Sequence, residues 1–156
     1  MRPTANGKYN QGYYKLINPD KYIGDPSKIV FRSSYEKKFM YWADMNPLVL
    51  KWGSEVIAIP YIGPDKRSHR YFIDFYMEVD SGEPAFPRRV LVEVKPSNEL
   101  NPPSKPKTIT AKSLESYEYA SKMYEKNMHK WFAAINYAKD RGMHFNFVTE
   151  KNLGIK

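Results

Sequence analysis

The sequence predicts a mixed α/β chain of the α+β kind, with element order αβββαβ and a mixed sheet flanked by helices. Three observations carry this. Val90-Leu91-Val92-Glu93-Val94-Lys95 and Tyr71-Phe72-Ile73-Asp74-Phe75 are rich in β-branched and aromatic residues and are bounded by turn formers, the signature of strands. Ser33-Ser34-Tyr35-Glu36 matches a capping box at the start of a helix. From about Ser113 to Asp140, apolar residues recur three or four apart, which predicts a long helix between the third strand and the last.

In chain order, residues 1–30 read as a basic and aromatic arm, with Tyr9, Tyr13, Tyr14 and Tyr22 interleaved with Lys8, Lys15, Lys21 and Lys28. Such a mixture suits base stacking and phosphate pairing, and equally tyrosines that pack on the domain. The first helix starts at Ser33, turns Tyr35, Phe39, Trp42 and Met45 to one side, and ends at Asn46-Pro47. Three strands follow at Ser54–Ile62, His69–Val79 and Arg88–Lys95. Turns at Gly63-Pro64-Asp65 and Asp80-Ser81-Gly82 make them an antiparallel meander. Alternation sets Val90, Val92 and Val94 on one face and Leu91, Glu93 and Lys95 on the other. In the second strand, Arg70, Phe72, Asp74 and Tyr76 oppose Tyr71, Ile73, Phe75 and Met77.

Residues 96–107, with four prolines, form a stiff loop leaving this region. In the long helix, Tyr117, Ala120, Tyr124, Met128, Trp131, Ile135 and Ala138 form the buried stripe, and Gly142 stops it. A last strand, Met143–Val148, then pairs parallel to the third in a right-handed crossover. The expected organisation is an arm (1–30), one domain (31–150) and a short tail (151–156).

At 156 residues and 42% hydrophobic content, the chain is long enough for one folded domain. No run approaches the ~20 apolar residues of a membrane helix, so no membrane partner is expected. The absence of cysteine excludes disulfides and thiolate metal sites. The net charge of +8 is unevenly spread: residues 1–32 carry +4, 33–94 carry −1 and 95–156 carry +5. Basic flanks around an acidic middle suit a polyanion held over a metal site, and also fit a merely solvated basic surface.

Charges within apolar strands need a reason, because burying them unpaired is costly. If the second and third strands are neighbours, Asp74, Glu93 and Lys95 converge. Two carboxylates suit Mg²⁺, which takes a few carboxylates plus waters and phosphate oxygens. The Val94 carbonyl could join them, and Lys95 could orient a nucleophilic water or stabilise phosphorane charge. Glu36 is a further ligand if the first helix docks beside this edge. Duller readings stand beside each: Glu-x-Lys as a solvent-facing pair, Asp74 in an ion pair with Arg70, Glu36 as a capping partner alone. Glu55 suits an outer role. His69, His129 and His144 lack ligand spacing, and no phosphate-binding glycine loop, zinc cluster or serine elbow is present.

Helix glutamate, strand aspartate, Glu-x-Lys and crossover helix together resemble the restriction-endonuclease-like superfamily, with its αβββαβ core. The chain is more closely similar to the head-completion nucleases of contractile-tailed bacteriophages. The matching residues are Phe31-Arg32-Ser33, Glu36, Trp52-Gly53-Ser54-Glu55, Ile59-Pro60-Tyr61, Arg70-Tyr71-Phe72 with Asp74, and Glu93-Val94-Lys95-Pro96. Pro102-Pro103, Lys105-Pro106, Lys130-Trp131 and Arg141-Gly142 continue it, so that it spans roughly residues 22–150. In the wider superfamily a proline often precedes the aspartate; here Ile73 does.

The resemblance implies a Mg²⁺-dependent DNA endonuclease (Mn²⁺ substituting) that acts in head completion after packaging, in the virion and the host cytoplasm. Its partners would be DNA and phage head or neck proteins, and a homodimer would suit cutting both strands. Carried over residue by residue, Asp74, Glu93, Lys95 and Glu36 are catalytic, and Asp74, Glu93 and Glu36 hold the metal. Arg32, Arg70, Lys105 and Lys107 are the expected DNA contacts. The alternative function is a structural head or neck protein that binds DNA ends on a nuclease-like scaffold without cutting.

Overall fold

A computed structural model of the protein describes residues 11–155. In chain order it contains β1 (Gly12–Tyr13), β2 (Val30–Phe31), α1 (Ser34–Met45), β3 (Val49–Ser54), β4 (Ala58–Ile62), β5 (Ser68–Phe72), β6 (Phe75–Val79), β7 (Arg88–Val94), α2 (Ala111–Asp140), β8 (His144–Val148) and α3 (Glu150–Leu153). Short 3-10 turns occupy Pro19–Lys21 and Ser97–Leu100. The main sheet has four strands in the order β3-β6-β7-β8. β3, β6 and β7 are antiparallel, while β8 joins β7 in parallel after α2 has carried the chain across. The sheet is therefore mixed, as expected.

The strict alternation of β7 puts an apolar surface on both faces. Val90, Val92 and Val94 share a core with Phe39, Met40 and Ala43 of α1. Leu91 shares a second core with Ala134 and Ala138 of α2. The sheet thus lies between two helical layers, and each fully buried aliphatic or aromatic side chain contributes about 1.5–3 kcal/mol. At the start of α1 the Ser33 hydroxyl accepts the Glu36 N–H at 3.1 Å. The other arm of the expected box is displaced by one residue, because the Glu36 carboxylate accepts the Arg32 N–H at 2.9 Å.

The face α1 buries differs from the expected one. Trp42 and Met45 are 43% and 45% exposed, while Phe39, Met40, Ala43 and Asp44 face inward. The reason is Asp44, which accepts the Tyr14 hydroxyl at 2.8 Å and the amides of Ile17 and Asn18 at 2.8 and 3.0 Å. A buried carboxylate with three donors is well satisfied, and the helix rotates to present it.

Those contacts also tie residues 11–31 to the domain. Tyr14 and Ile29 are buried, and Tyr22 meets the Trp52 ring edge-on at 4.8 Å. The Lys21 ammonium donates to the carbonyls of Ala43, Asp44 and Asn46 at 2.7–2.9 Å, at the negative end of the helix dipole. Of the two readings of the arm, Tyr14 and Tyr22 take the packed one. Lys8 and Tyr9 lie outside the described residues. At the other end, residues 150–153 form α3, whose Leu153 packs against the α1-side core.

Two expected strands are each broken. Ser54–Ile62 is interrupted at Glu55, whose φ of 54° turns the chain out of the sheet, so only β4 remains of it. The sheet's own edge strand is β3, which runs earlier. There Gly53 approaches the Ile23 carbonyl so closely that a Cβ would lie 2.8 Å from its oxygen. His69–Val79 is interrupted at Ile73-Asp74 and becomes β5, paired only with β4, and β6, in the main sheet. Tyr71 and Ile73 consequently face the α2 side while Phe75 and Met77 face the α1 side, so these four do not share one face.

The long helix also departs from its expected stripe. Of the seven residues expected inside, only Trp131 and Ala138 are buried, together with Ala134, and Ile135 is 44% exposed. The geometry gives the cause: a helix of 30 residues is about 45 Å long, whereas the seven-residue β7 spans about 23 Å. Sheet and helix can meet only along the last part of α2. Among the described residues no helix is long and apolar enough to cross a membrane.

Candidate active site

The break before β6 makes the site. With the strand interrupted, Asp74 sits at the junction and turns its carboxylate to the end of β7, where it accepts the Val94 N–H at 2.8 Å. Glu93 lies on the α2-side face of β7 and is 5% exposed. Asp74 and Glu93 lie close enough for each to act on the other's ionisation. Burial first, then the Glu93 charge, pushes the Asp74 carboxyl well above the usual carboxylate range, and the Glu36 charge adds to this. Burial likewise pushes Glu93 up, against the opposing effects of the Tyr71 hydroxyl, Lys95 and Lys130.

Three groups hold this pair. The Tyr71 hydroxyl donates to Glu93, and burial followed by the Glu93 charge raises the phenol's own pKa. Lys95, just past the strand end on the Glu93 face, holds its ammonium 4.0 Å from Glu93 Oε1. From α2, Lys130 reaches over the Tyr71 ring with Nζ 5.4 Å from its centroid. Burial foremost, and the neighbouring Lys126, lower the Lys130 pKa, while Glu93 and Asp74 raise it.

Glu36 and Arg32 stand at the rim. Burial raises the Glu36 pKa most, partly offset by its bond from the Arg32 amide and by the Arg32 charge. The Arg32 guanidinium forks onto the Glu55 carboxylate, its second contact at 3.3 Å. Among the described residues no three His, Asp or Glu side chains are grouped to hold a metal ion. Glu36 accepts the Arg32 N–H through Oε2, and its charge reaches Asp74.

The expected DNA contacts divide. Arg32 is at the rim, and the pKa effects linking it to Glu55, Glu36 and Asp74 show the proximity. Arg70 lies on the exposed face of β5 with its guanidinium 5.4 Å over the Phe72 ring, and makes no ion pair with Asp74. Lys105 and Lys107 are exposed on the proline-rich loop without a contact to the carboxylates. Tyr71 and Lys130 are members to which the sequence analysis gave no role, although both stand in the stretches that carry the resemblance, and Lys130 is a cation set in the apolar stripe between Met128 and Trp131.

A pair of carboxylates that cannot both ionise without help is a fitting host for a hard cation. The available donors are Asp74, Glu93 and the Val94 carbonyl, with the remaining positions open to water and phosphate. A wide apolar groove of about 890 Å³ lies elsewhere, between α1 and α3, lined by Tyr14, Trp42, Met45 and Leu153. It contains neither carboxylate.

Residues 46–150 match the family described as TnsA-like endonuclease N terminal. The chain is also 39% identical over 137 residues to the head completion nuclease of Enterobacteria phage T4, covering 87% of this chain and 88% of that protein. No solved structure matches. The matched span holds Asp74, Glu93, Lys95, Tyr71 and Lys130 together, and the chain belongs to the TnsA-like endonuclease family, of restriction-endonuclease-like type, as a homologue of a phage head completion nuclease.

Proposed function

We propose that the protein is a metal-dependent DNA endonuclease that acts in phage head completion after packaging. The observation that carries this is the Asp74–Glu93 pair with Lys95 4.0 Å from it. Asp74 and Glu93, with the Val94 carbonyl, would hold Mg²⁺, or Mn²⁺ in its place. Bound there, such an ion supplies charge neutralisation at the scissile phosphate and a lowered pKa for attacking water.

The chain's own residues do the rest. Tyr71 fixes one Glu93 oxygen, so the carboxylate keeps one orientation. The Lys95 ammonium orients the water that attacks phosphorus and stabilises charge on the phosphorane as the bond to the leaving oxygen breaks. Arg32 releases one Glu55 contact to take a phosphate oxygen, and Glu36 acts from the rim through its field. DNA is the substrate, phage head or neck proteins are the partners, and the virion and host cytoplasm are the settings. A homodimer would cut both strands.

The test is cleavage of labelled duplex, flap, branched and single-stranded DNA in Mg²⁺, with Asp74→Ala, Glu93→Ala and Lys95→Ala run alongside. Loss of cleavage in each variant, with fold and DNA affinity retained, is expected. Wild-type protein that binds DNA ends without cutting in Mg²⁺ or Mn²⁺ would instead establish a structural end-binding role.

A further inference from the structure

We propose that Lys122, Lys126 and Lys130 form a phosphate track along α2 that leads one DNA strand past the β4–β5 hairpin to the carboxylate pair. The proposal rests on the nuclease reading and adds where the substrate backbone runs. Residues four apart on a helix lie on one face, and the row from Lys122 to Lys130 rises about 12 Å. One strand of duplex DNA advances 3.4 Å per nucleotide, so the row matches three to four successive phosphates.

One end of the row is fixed by the site: Lys130 stands over Tyr71 and within the field of Glu93, Lys95 and Asp74. The other end borders a cavity of about 430 Å³ between α2 and the hairpin, lined by Lys122 and Lys126 on one side and Tyr61, Gly63 and His69 on the other. Two acids line it too: Asp65, already paired with His69 at 2.9 Å, and Glu125. The His129 imidazole Nδ1 lies 3.0 Å from the Ile62 carbonyl oxygen and ties helix to hairpin, so the cavity has two joined walls. Lys66 and Arg67 extend the positive charge across the hairpin turn.

Among the described residues this charge has no ion-pair partner. Lys122 and Lys126 are exposed and in no ion pair, although Glu118 lies four residues before Lys122. Like charges four apart oppose helix formation, and no residue from 111 to 130 is buried to offset it. A polyanion laid along the row turns that repulsion into attraction. Release of counterions from phosphates makes the gain depend on salt in a countable way.

The test measures duplex DNA binding by the full chain in EDTA, where no cleavage occurs, across a series of salt concentrations. The Lys122→Gln/Lys126→Gln protein is compared with wild type and with Lys112→Gln/Lys139→Gln, which removes the same charge near the ends of α2. Loss of two phosphate contacts predicts a log–log salt slope shallower by about 1.8. Binding should be about 10- to 100-fold weaker at 0.1 M salt, with the control near wild type. A slope unchanged, or changed equally in the control, overturns the track. Wild-type cleavage is read separately in Mg²⁺: if it is absent while the slope still falls by the expected amount, the nuclease reading fails and the phosphate-binding row stands.

Discussion

Replacing Asp74 by asparagine sets chemistry against stability. The aspartate is half-buried beside the buried Glu93, and its oxygen takes the Val94 N–H at 2.8 Å. Asparagine has the same shape, keeps an oxygen for that N–H and carries no charge. Two unit charges about 4 Å apart repel by about 4 kcal/mol at an effective dielectric constant near 20. The raised pKa values of the two carboxyls and the Lys95 charge already relieve part of this in the native protein. The expected net gain for Asp74→Asn is therefore about 1–3 kcal/mol at pH 8 without divalent ions. At about 2–4 °C per kcal/mol for a chain of this size, Tm should rise by about 2–12 °C.

The pH dependence has a definite sign. Asp74 holds its proton more tightly folded than unfolded, so the folded state binds more protons over the window above the ordinary aspartate range. Native stability is then favoured at low pH and declines as pH rises through the raised folded pKa. The variant lacks that decline, so the gap between the two should widen from pH 4 to pH 8. Thermal unfolding in EDTA at several pH values measures it, with DNA cleavage in Mg²⁺ read in parallel and expected to vanish. A variant less stable than the native protein at pH 8, or a gap constant with pH, would refute the reasoning.

Three further outcomes are expected. Tyr71→Phe removes the donor to a buried Glu93 oxygen; cleavage should fall about 10- to 100-fold, read by steady-state kinetics, and stability by about 1–3 kcal/mol. Asp44→Ala orphans the Tyr14 hydroxyl and the amides of Ile17 and Asn18. It should cost about 3–5 kcal/mol and speed hydrogen exchange at residues 14–18, leaving Asp74, Glu93 and Lys95 in place. Arg32→Ala breaks a pair whose side chains are both more than a third exposed. Denaturant unfolding should shift by less than about 1 kcal/mol, while DNA affinity falls measurably.

What the sequence revealed follows from where physics is local. The cap at Ser33, the two-faced alternation of β7 and the parallel return of β8 depend on neighbouring residues and on period, and all were legible. So was the meeting of Asp74 with Glu93 and Lys95, because charges in apolar strands have few cheap places to go. The breaks at Glu55 and at Ile73-Asp74 were not, since neither carries glycine or proline and apolar residues run through both. β3 was hidden by its irregular register between Val49 and Lys51, which destroys the two-residue period. Asp44 and Tyr71 draw their roles from partners 30 and 22 residues away. The exposed half of α2 reads as a buried stripe until the short sheet beside it is seen.

The account depends most on Asp74 and Glu93 jointly holding a divalent ion. Crystals of the protein soaked in Mn²⁺, measured for anomalous scattering, address this directly. The expected result is a strong peak within bonding distance of both carboxylates that is lost in Asp74→Asn. A fully occupied peak elsewhere, with no density between Asp74 and Glu93, would contradict it.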